Sequence, residues 1–272
     1  MSSSRSDPGQ DPGSHLRELI DTPVRTAVAL LMLPPALVYH SAGAFVSALR
    51  NLSPRRTHRH YVGFARFCMR FGGTRLEVRG TEHIQPGRAY VVVPNHESTW
   101  DPPSIVAGLP DLVMRFVVKR SLMQIPIFGH ALHRTGNVTV FRTQTTGDAQ
   151  RIREVMDHRD PDVSILFFAE GMRSRDGSFH PFKMGAFVSA LGYRLPILPI
   201  ATAGTYAIWP KGTLRLRRGT VVIEVGKPIP TDGMTLDDRN TLREQIHKAV
   251  ARLRTRARQH LRILGENPEG ID

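Results

Sequence analysis

Cysteine is almost missing from this sequence: Cys68 stands alone among 272 residues. A lone thiol excludes an intrachain disulfide and a cysteine-built zinc site, as suits a cytosolic domain. Cys68 lies in the apolar run Phe64 to Phe71, where its ordinary role is that of a small buried hydrophobe. Aromatic residues make up only 7% of the chain, and no basic–aromatic motif or nucleic-acid module is legible. Nucleic acid is therefore not expected as a partner. There is no Gly-x-Ser-x-Gly elbow to carry a nucleophilic serine. No cluster of His and acidic residues has metal-ligand spacing, so neither a metal nor a resident cofactor is expected. Internal repeats are also absent.

What remains is a chain with 40% hydrophobic and 22% charged residues, enough apolar material for a packed core. Its net charge is +13, mostly from arginine. Such an excess favours anionic partners, and the guanidinium fork favours phosphate. Between Thr26 and Leu49 there is no formally charged residue. That length could cross a bilayer, which needs about 20 apolar residues. Pro34-Pro35 sits in the middle, so the sequence predicts two short helices meeting there. This apolar helical hairpin either contacts an anionic membrane surface or packs on the domain. Arg17 and Arg25 precede it, and Arg50, Arg55, Arg56 and Arg59 follow, so the flanking charge gives no clean orientation. The segment starts too far from Met1 to read as a signal peptide. The expected division is a flexible tail over 1–22, a membrane-associating helical segment over 23–57, and a folded domain over 58–272 that ends in a basic helix. Membrane association with the folded domain on the cytoplasmic side is expected.

From residue 58 onward strand and helix patterns alternate. Strands are expected at Thr74–Arg79, Ala89–Pro94, Leu112–Val118, Asn137–Arg142, Val163–Ala169, Pro196–Ala201 and Thr220–Val225. Helices are expected at His58–Phe71, Pro102–Ala107, Leu122–His133, Thr146–Asp157, Met184–Tyr193 and from Thr235 to about Leu264. Alternation of this kind predicts an α/β fold, with a mostly parallel central sheet covered by helices.

Twelve histidines are present, and His96 is the one followed by an aspartate five residues on, Asp101. His96 directly follows the most apolar strand, and in open α/β sheets ligands gather at the carboxyl ends of strands. A carboxylate holding one imidazole nitrogen leaves the other free to accept a proton, which makes a general base for an alcohol. His-x4-Asp alone is a weak signal. His158-Arg-Asp-Pro-Asp162 shows how easily such pairs arise, and reads as a surface loop. A second group is Phe167-Phe-Ala-Glu-Gly-Met-Arg-Ser174, again at a strand end. Arg173 offers a fork for phosphate, Gly171 allows close backbone approach, and Glu170 either binds a hydroxyl, orients a neighbour or pairs with Arg173. Lys183 and Gly185 mark a helix start suited to an anion. Lys119 and Arg142 also end strands. Four cations at one sheet edge point to a phosphorylated substrate.

Taken together, the chain resembles the glycerophospholipid acyltransferase family. The Asn-His-x4-Asp block is Asn95 to Asp101, and a Gly-x-x-Phe-x-x-Arg block is approached by Gly136 to Arg142. The third block is Phe168 to Ser174, and the Val/Ile-Pro-Ile block is Leu198-Pro199-Ile200. The resemblance runs from about Thr74 to Gly226, and the order of the blocks is far more specific than any one. Met172 departs from it, standing where the family often has Thr. The resemblance implies that His96 is the base, with Asp101 orienting it. It implies that Arg173, Lys119 and Arg142 hold the acceptor's phosphate, and that Glu170 and Gly171 shape its site. The acceptor would be a lysophospholipid such as 1-acylglycerol-3-phosphate. The donor would be an acyl thioester, on CoA or acyl-carrier protein, attacked directly with no acyl-enzyme. The competing expectation is a non-catalytic anionic-lipid-binding protein on the same fold.

Overall fold

The computed structural model describes residues 12–141 and 146–267. It opens with one long helix, α1 (Pro12–Leu49), which runs through Pro23, Pro34 and Pro35. This corrects the expected break at Pro34-Pro35. Each proline removes one backbone donor, yet α1 is packed lengthwise against the following helix α2 (Pro54–Gly72) and against α4 (Phe128–Arg134). Ala29, Ala44 and Ser47 are buried in that contact, and this packing outweighs the local cost. The hairpin therefore exists, but it is α1 against α2, turning at residues 50–53. Two boundaries shift accordingly. Residues 12–22, read as tail, belong to α1, and α2 crosses the division placed at 57/58. α2 starts on Pro54, where a missing N–H costs nothing, and ends at Gly73 in the left-handed conformation, φ 61°.

Seven strands form one sheet: β1 (Thr74–Arg79), β2 (Val91–Pro94), β3 (Met114–Lys119), β4 (Val138–Val140), β5 (Ser164–Leu166), β6 (Ile197–Ala203) and β7 (Gly219–Val225). Their order is β1-β7-β6-β2-β5-β3-β4. Every pairing is parallel except β6 with β7. Strand β2 sits centrally, with Val91 opposite both Ile165 and Ile197. Its side chains alternate between two cores. Val92 joins Ile105 and Met69, from α3 (Asp101–Gly108) and α2, on one face. Val91 and Val93 join Phe187 and Ile246, from α6 (Gly185–Gly192) and α8 (Arg239–Ile263), on the other. Continuous apolar strands covered on both faces are the form that parallel sheets require.

The helix expected over Leu122–His133 is divided. A 3₁₀ turn (Arg120–Gln124) stops at Ile125, which is extended at φ −75°, ψ 119°. Pro126 forces this, because a residue before proline is driven out of the α region. Helices α5 (Thr146–Asp157) and α7 (Thr205–Ile208) complete the fold.

Candidate active site

Strands β2, β5 and β6 lie side by side and parallel, so their carboxyl ends open on one edge. Asn95, the first residue past β2, is tied to β6 by two hydrogen bonds. Its Nδ2 donates to the Thr202 carbonyl at 3.0 Å, and Thr202 N donates to its Oδ1 at 2.8 Å. That pair of hydrogen bonds between the side-chain amide and the Thr202 backbone fixes where the chain leaves the sheet. The next residue is His96.

Asp101 begins α3, ahead of Pro102 and Pro103, whose fixed φ suits a first helical turn. The intervening turn brings its carboxylate back under the imidazole. His96 Nδ1 donates to Asp101 Oδ2 at 2.8 Å. The same oxygen accepts the backbone N–H groups of Glu97 (2.7 Å) and Ser98 (2.8 Å). Oδ1 accepts the hydroxyls of Thr202 (3.2 Å) and Thr205 (2.5 Å). Asp101 is 0% exposed, and these five donors replace the water it has lost. With Nδ1 donating to the carboxylate, the other nitrogen, Nε2, is left with its lone pair free to accept a hydrogen bond or a proton. The side chain, 10% exposed, stacks on Phe168 with ring centroids 3.8 Å apart.

Glu170, at the end of the neighbouring strand β5, serves the backbone. Its Oε1 accepts His96 N at 2.7 Å and its Oε2 accepts His180 N at 3.0 Å. Burial pushes its carboxyl up to about 7, against the pull of those two N–H groups. Of the sequence alternatives for Glu170, this geometry matches orienting a neighbour. Gly171 is left-handed, φ 77°, and a Cβ there would come 2.6 Å from Lys183 Cε. The glycine thus lets the Lys183 stem lie across the loop. Arg173 donates to the hydroxyl of Thr99, inside the His96–Asp101 turn, so it stands at the rim of the site. Ser174 N closes the loop onto the His96 carbonyl at 2.9 Å. Met172 is exposed beside it. Lys119 ends β3 on the same edge, exposed. Strand β5 separates it from β2, a distance of about 10 Å. Arg142 falls outside the described residues. Among the described residues no group of three or more His, Cys, Asp or Glu side chains could hold a metal ion.

Sequence reading missed several partners. Thr202 and Thr205 flank the carboxyl end of β6, and the strand-end logic that singled out His96 applies equally to them. Glu97 has no such signal. It reads as a charged residue in a polar turn, but it is 1% exposed and pairs with Arg254 at 2.6 Å and Arg258 at 3.6 Å on the distant helix α8. Burial raises its pKa, opposed by those two guanidiniums.

The chain is similar to known proteins in sequence and in fold. A family model described as Acyltransferase matches residues 75–203. The chain is 33% identical over 180 residues to a 1-acyl-sn-glycerol-3-phosphate acyltransferase alpha of Homo sapiens, covering 65% of this chain and 63% of the human protein. It is 30% identical over 181 residues to a 1-acyl-sn-glycerol-3-phosphate acyltransferase of Limnanthes douglasii, covering 66% and 63%. The match thus spans less than two thirds of the length of these relatives. Among solved structures, the 1-acyl-sn-glycerophosphate acyltransferase of Thermotoga maritima superposes with a TM-score of 0.73 at 22% identity, over 86% of this chain and 95% of that one. The four ordered sequence blocks and the sheet agree with these matches, and residues 75–203 are similar to the acyltransferase family.

Proposed function

We propose that the chain is a glycerolipid O-acyltransferase that moves a fatty acyl group from an acyl-CoA or acyl-carrier-protein thioester to the hydroxyl of a lysophospholipid, with 1-acylglycerol-3-phosphate as acceptor. The observation that carries this reading is the His96 Nδ1–Asp101 hydrogen bond of 2.8 Å, which reserves Nε2 for a substrate proton. The acceptor hydroxyl gives its proton to Nε2 as its oxygen bonds to the thioester carbon. The resulting imidazolium is stabilised by Asp101, whose charge lies against it. The tetrahedral intermediate then collapses, the C–S bond breaks, and the departing thiolate takes the proton from His96. No covalent enzyme intermediate enters this sequence. Arg173 and Lys183, on the loop that closes over His96, supply the positive charge for the acceptor's phosphate, with Lys119 further along the edge.

A lysophospholipid is delivered from a membrane. Thr22–Leu49 of α1 is long and apolar enough to cross one by length and composition, with a mean hydropathy of 1.5. Val24, Val28, Leu31, Val38 and Tyr39 are exposed. At 100° per residue they fall on one side of the helix, opposite the buried Ala29, Ala44 and Ser47. That apolar face, beside Arg50, Arg55, Arg56 and Arg59, supports association with an anionic membrane surface. A labelled acyl-CoA or acyl-carrier protein offered with a panel of lysophospholipids tests the proposal. Diacyl product is expected with 1-acylglycerol-3-phosphate, and an absence of product with every acceptor and both donors overturns the reading.

A further inference from the structure

The arginines of α8 look in sequence like a solvated basic face, but two of them lie against the active site. The helix buries Leu242, Ile246, Val250, Leu253, Ala257 and Leu261, one stripe at spacings of three and four. Arg254 and Arg258 each follow a member of that stripe, which turns them toward the sheet edge. Their side chains are only 14% and 17% exposed. Arg254 Nε donates to Glu97 Oε1 at 2.6 Å, and Arg258 Nη2 lies 3.6 Å from the same oxygen. Both guanidiniums also donate to the Gly177 carbonyl, Arg258 at 3.2 Å.

The two anchor points belong to the two loops of the site. Glu97 lies next to His96, and its own N–H holds Asp101 Oδ2. Gly177 lies on the loop that carries Arg173. We propose that Arg254, assisted by Arg258, is a positioning residue for the transfer reaction, clamping the His96–Asp101 turn and the Arg173 loop in one relative geometry. The proposal rests on the reading of His96 as the base.

The physical requirement is strict at Glu97. A carboxylate that is 1% exposed must have a countercharge, and α8 provides it. Without that charge Glu97 either takes up a proton or pulls toward water, and its N–H leaves Asp101 with it. Without the Gly177 contact the Arg173 loop loses its hold from below. The first loss acts on kcat and the second on the KM for the acceptor.

The test uses the purified full-length chain in acyl-transfer assays. Arg254→Ala is expected to lower kcat ~10–100-fold, the range a displacement of about 1 Å costs, with its melting temperature still above that of the assay. Arg254→Lys, which keeps the charge but not the fork, is expected to recover most of kcat while the acceptor KM stays raised. Adding Glu97→Gln to Arg254→Ala is expected to recover part of kcat, because a neutral amide needs no countercharge. A purely structural arginine would not produce this split. Wild-type kcat per folded molecule in Arg254→Ala overturns the proposal, as does failure of both the lysine and the glutamine to raise kcat. Should Arg254→Ala not fold, the lysine variant decides, and a wild-type acceptor KM there overturns the clamp. His96→Ala run in parallel separates the two readings. Activity in it removes the base assignment, whereas an inactive His96→Ala beside a fully active Arg254→Ala removes the clamp alone.

Discussion

At the scale of single residues, the site is a problem of keeping buried charges where they are useful. Asp101 is solvated by five donors, so it can sit at 0% exposure and still face an imidazole. Glu170 is different. Two backbone N–H groups do not offset its burial, and its carboxyl titrates near 7 in the folded chain rather than near 4.5. A raised carboxyl pKa means that the folded state binds more protons than the unfolded state between those two values. Glu170 therefore makes folding less favourable as pH rises from about 4.5 to about 7, and its full cost applies above 7. Glu170→Gln is expected to flatten that part of the profile, measured as melting temperature against pH beside the wild type. Parallel profiles for the two proteins would show that Glu170 does not titrate in that window. The sequence pointed to His96 and Asp101 because both ends of the pair lie within one turn. It could not point to Glu97–Arg254 or Asp101–Thr205, whose partners are brought together across 157 and 104 positions by the fold.

At the scale of elements, local chemistry was legible wherever it acted alone. The sequence predicts the helix end just before Gly73, though not the start on Pro54, and the three valines of β2 mark a strand buried on both faces. Local chemistry misled where packing opposed it. Pro34 and Pro35 predict a break, yet α2 and α4 give α1 a continuous surface to lie on. At Pro126 the reverse holds: the sequence predicts a helix running through it over Leu122–His133, and there the chain breaks, since the short helix on either side of it offers no comparable surface. The consequence for α1 is a single straight-through element whose outward side is apolar. Leu31 and Tyr39 are 67% and 73% exposed on that side. Replacing both with glutamate is expected to weaken binding to vesicles containing anionic phospholipid by about tenfold or more per site, from a burial worth about 1.5–3 kcal/mol each. The fold should be untouched, because neither side chain supports the core. Unchanged co-sedimentation of the double variant would place the membrane contact elsewhere on the basic surface.

At the scale of the whole molecule, three strand ends, one helix start and one distant helix meet at a single edge of the sheet. The order β6-β2-β5 puts Thr202, His96 and Glu170 side by side, although His96 and Thr202 are 106 positions apart in sequence. The chain's net charge of +13 favours anionic partners in general. The sheet, its order of elements and the position of His96 were readable because α/β folds place ligands by rule. The role of α8 was not, since a basic helix looks the same in sequence whether its arginines meet water or a buried carboxylate. The central claim is that one imidazole nitrogen takes the acceptor's proton. The most direct measurement of it is the acceptor-dependent release of thiol from an acyl thioester, compared between wild type and His96→Ala at equal folded concentration. A loss of about 10²–10⁴ in kcat, with the melting temperature retained, is the predicted result. Turnover within a few-fold of wild type in the alanine variant would contradict it.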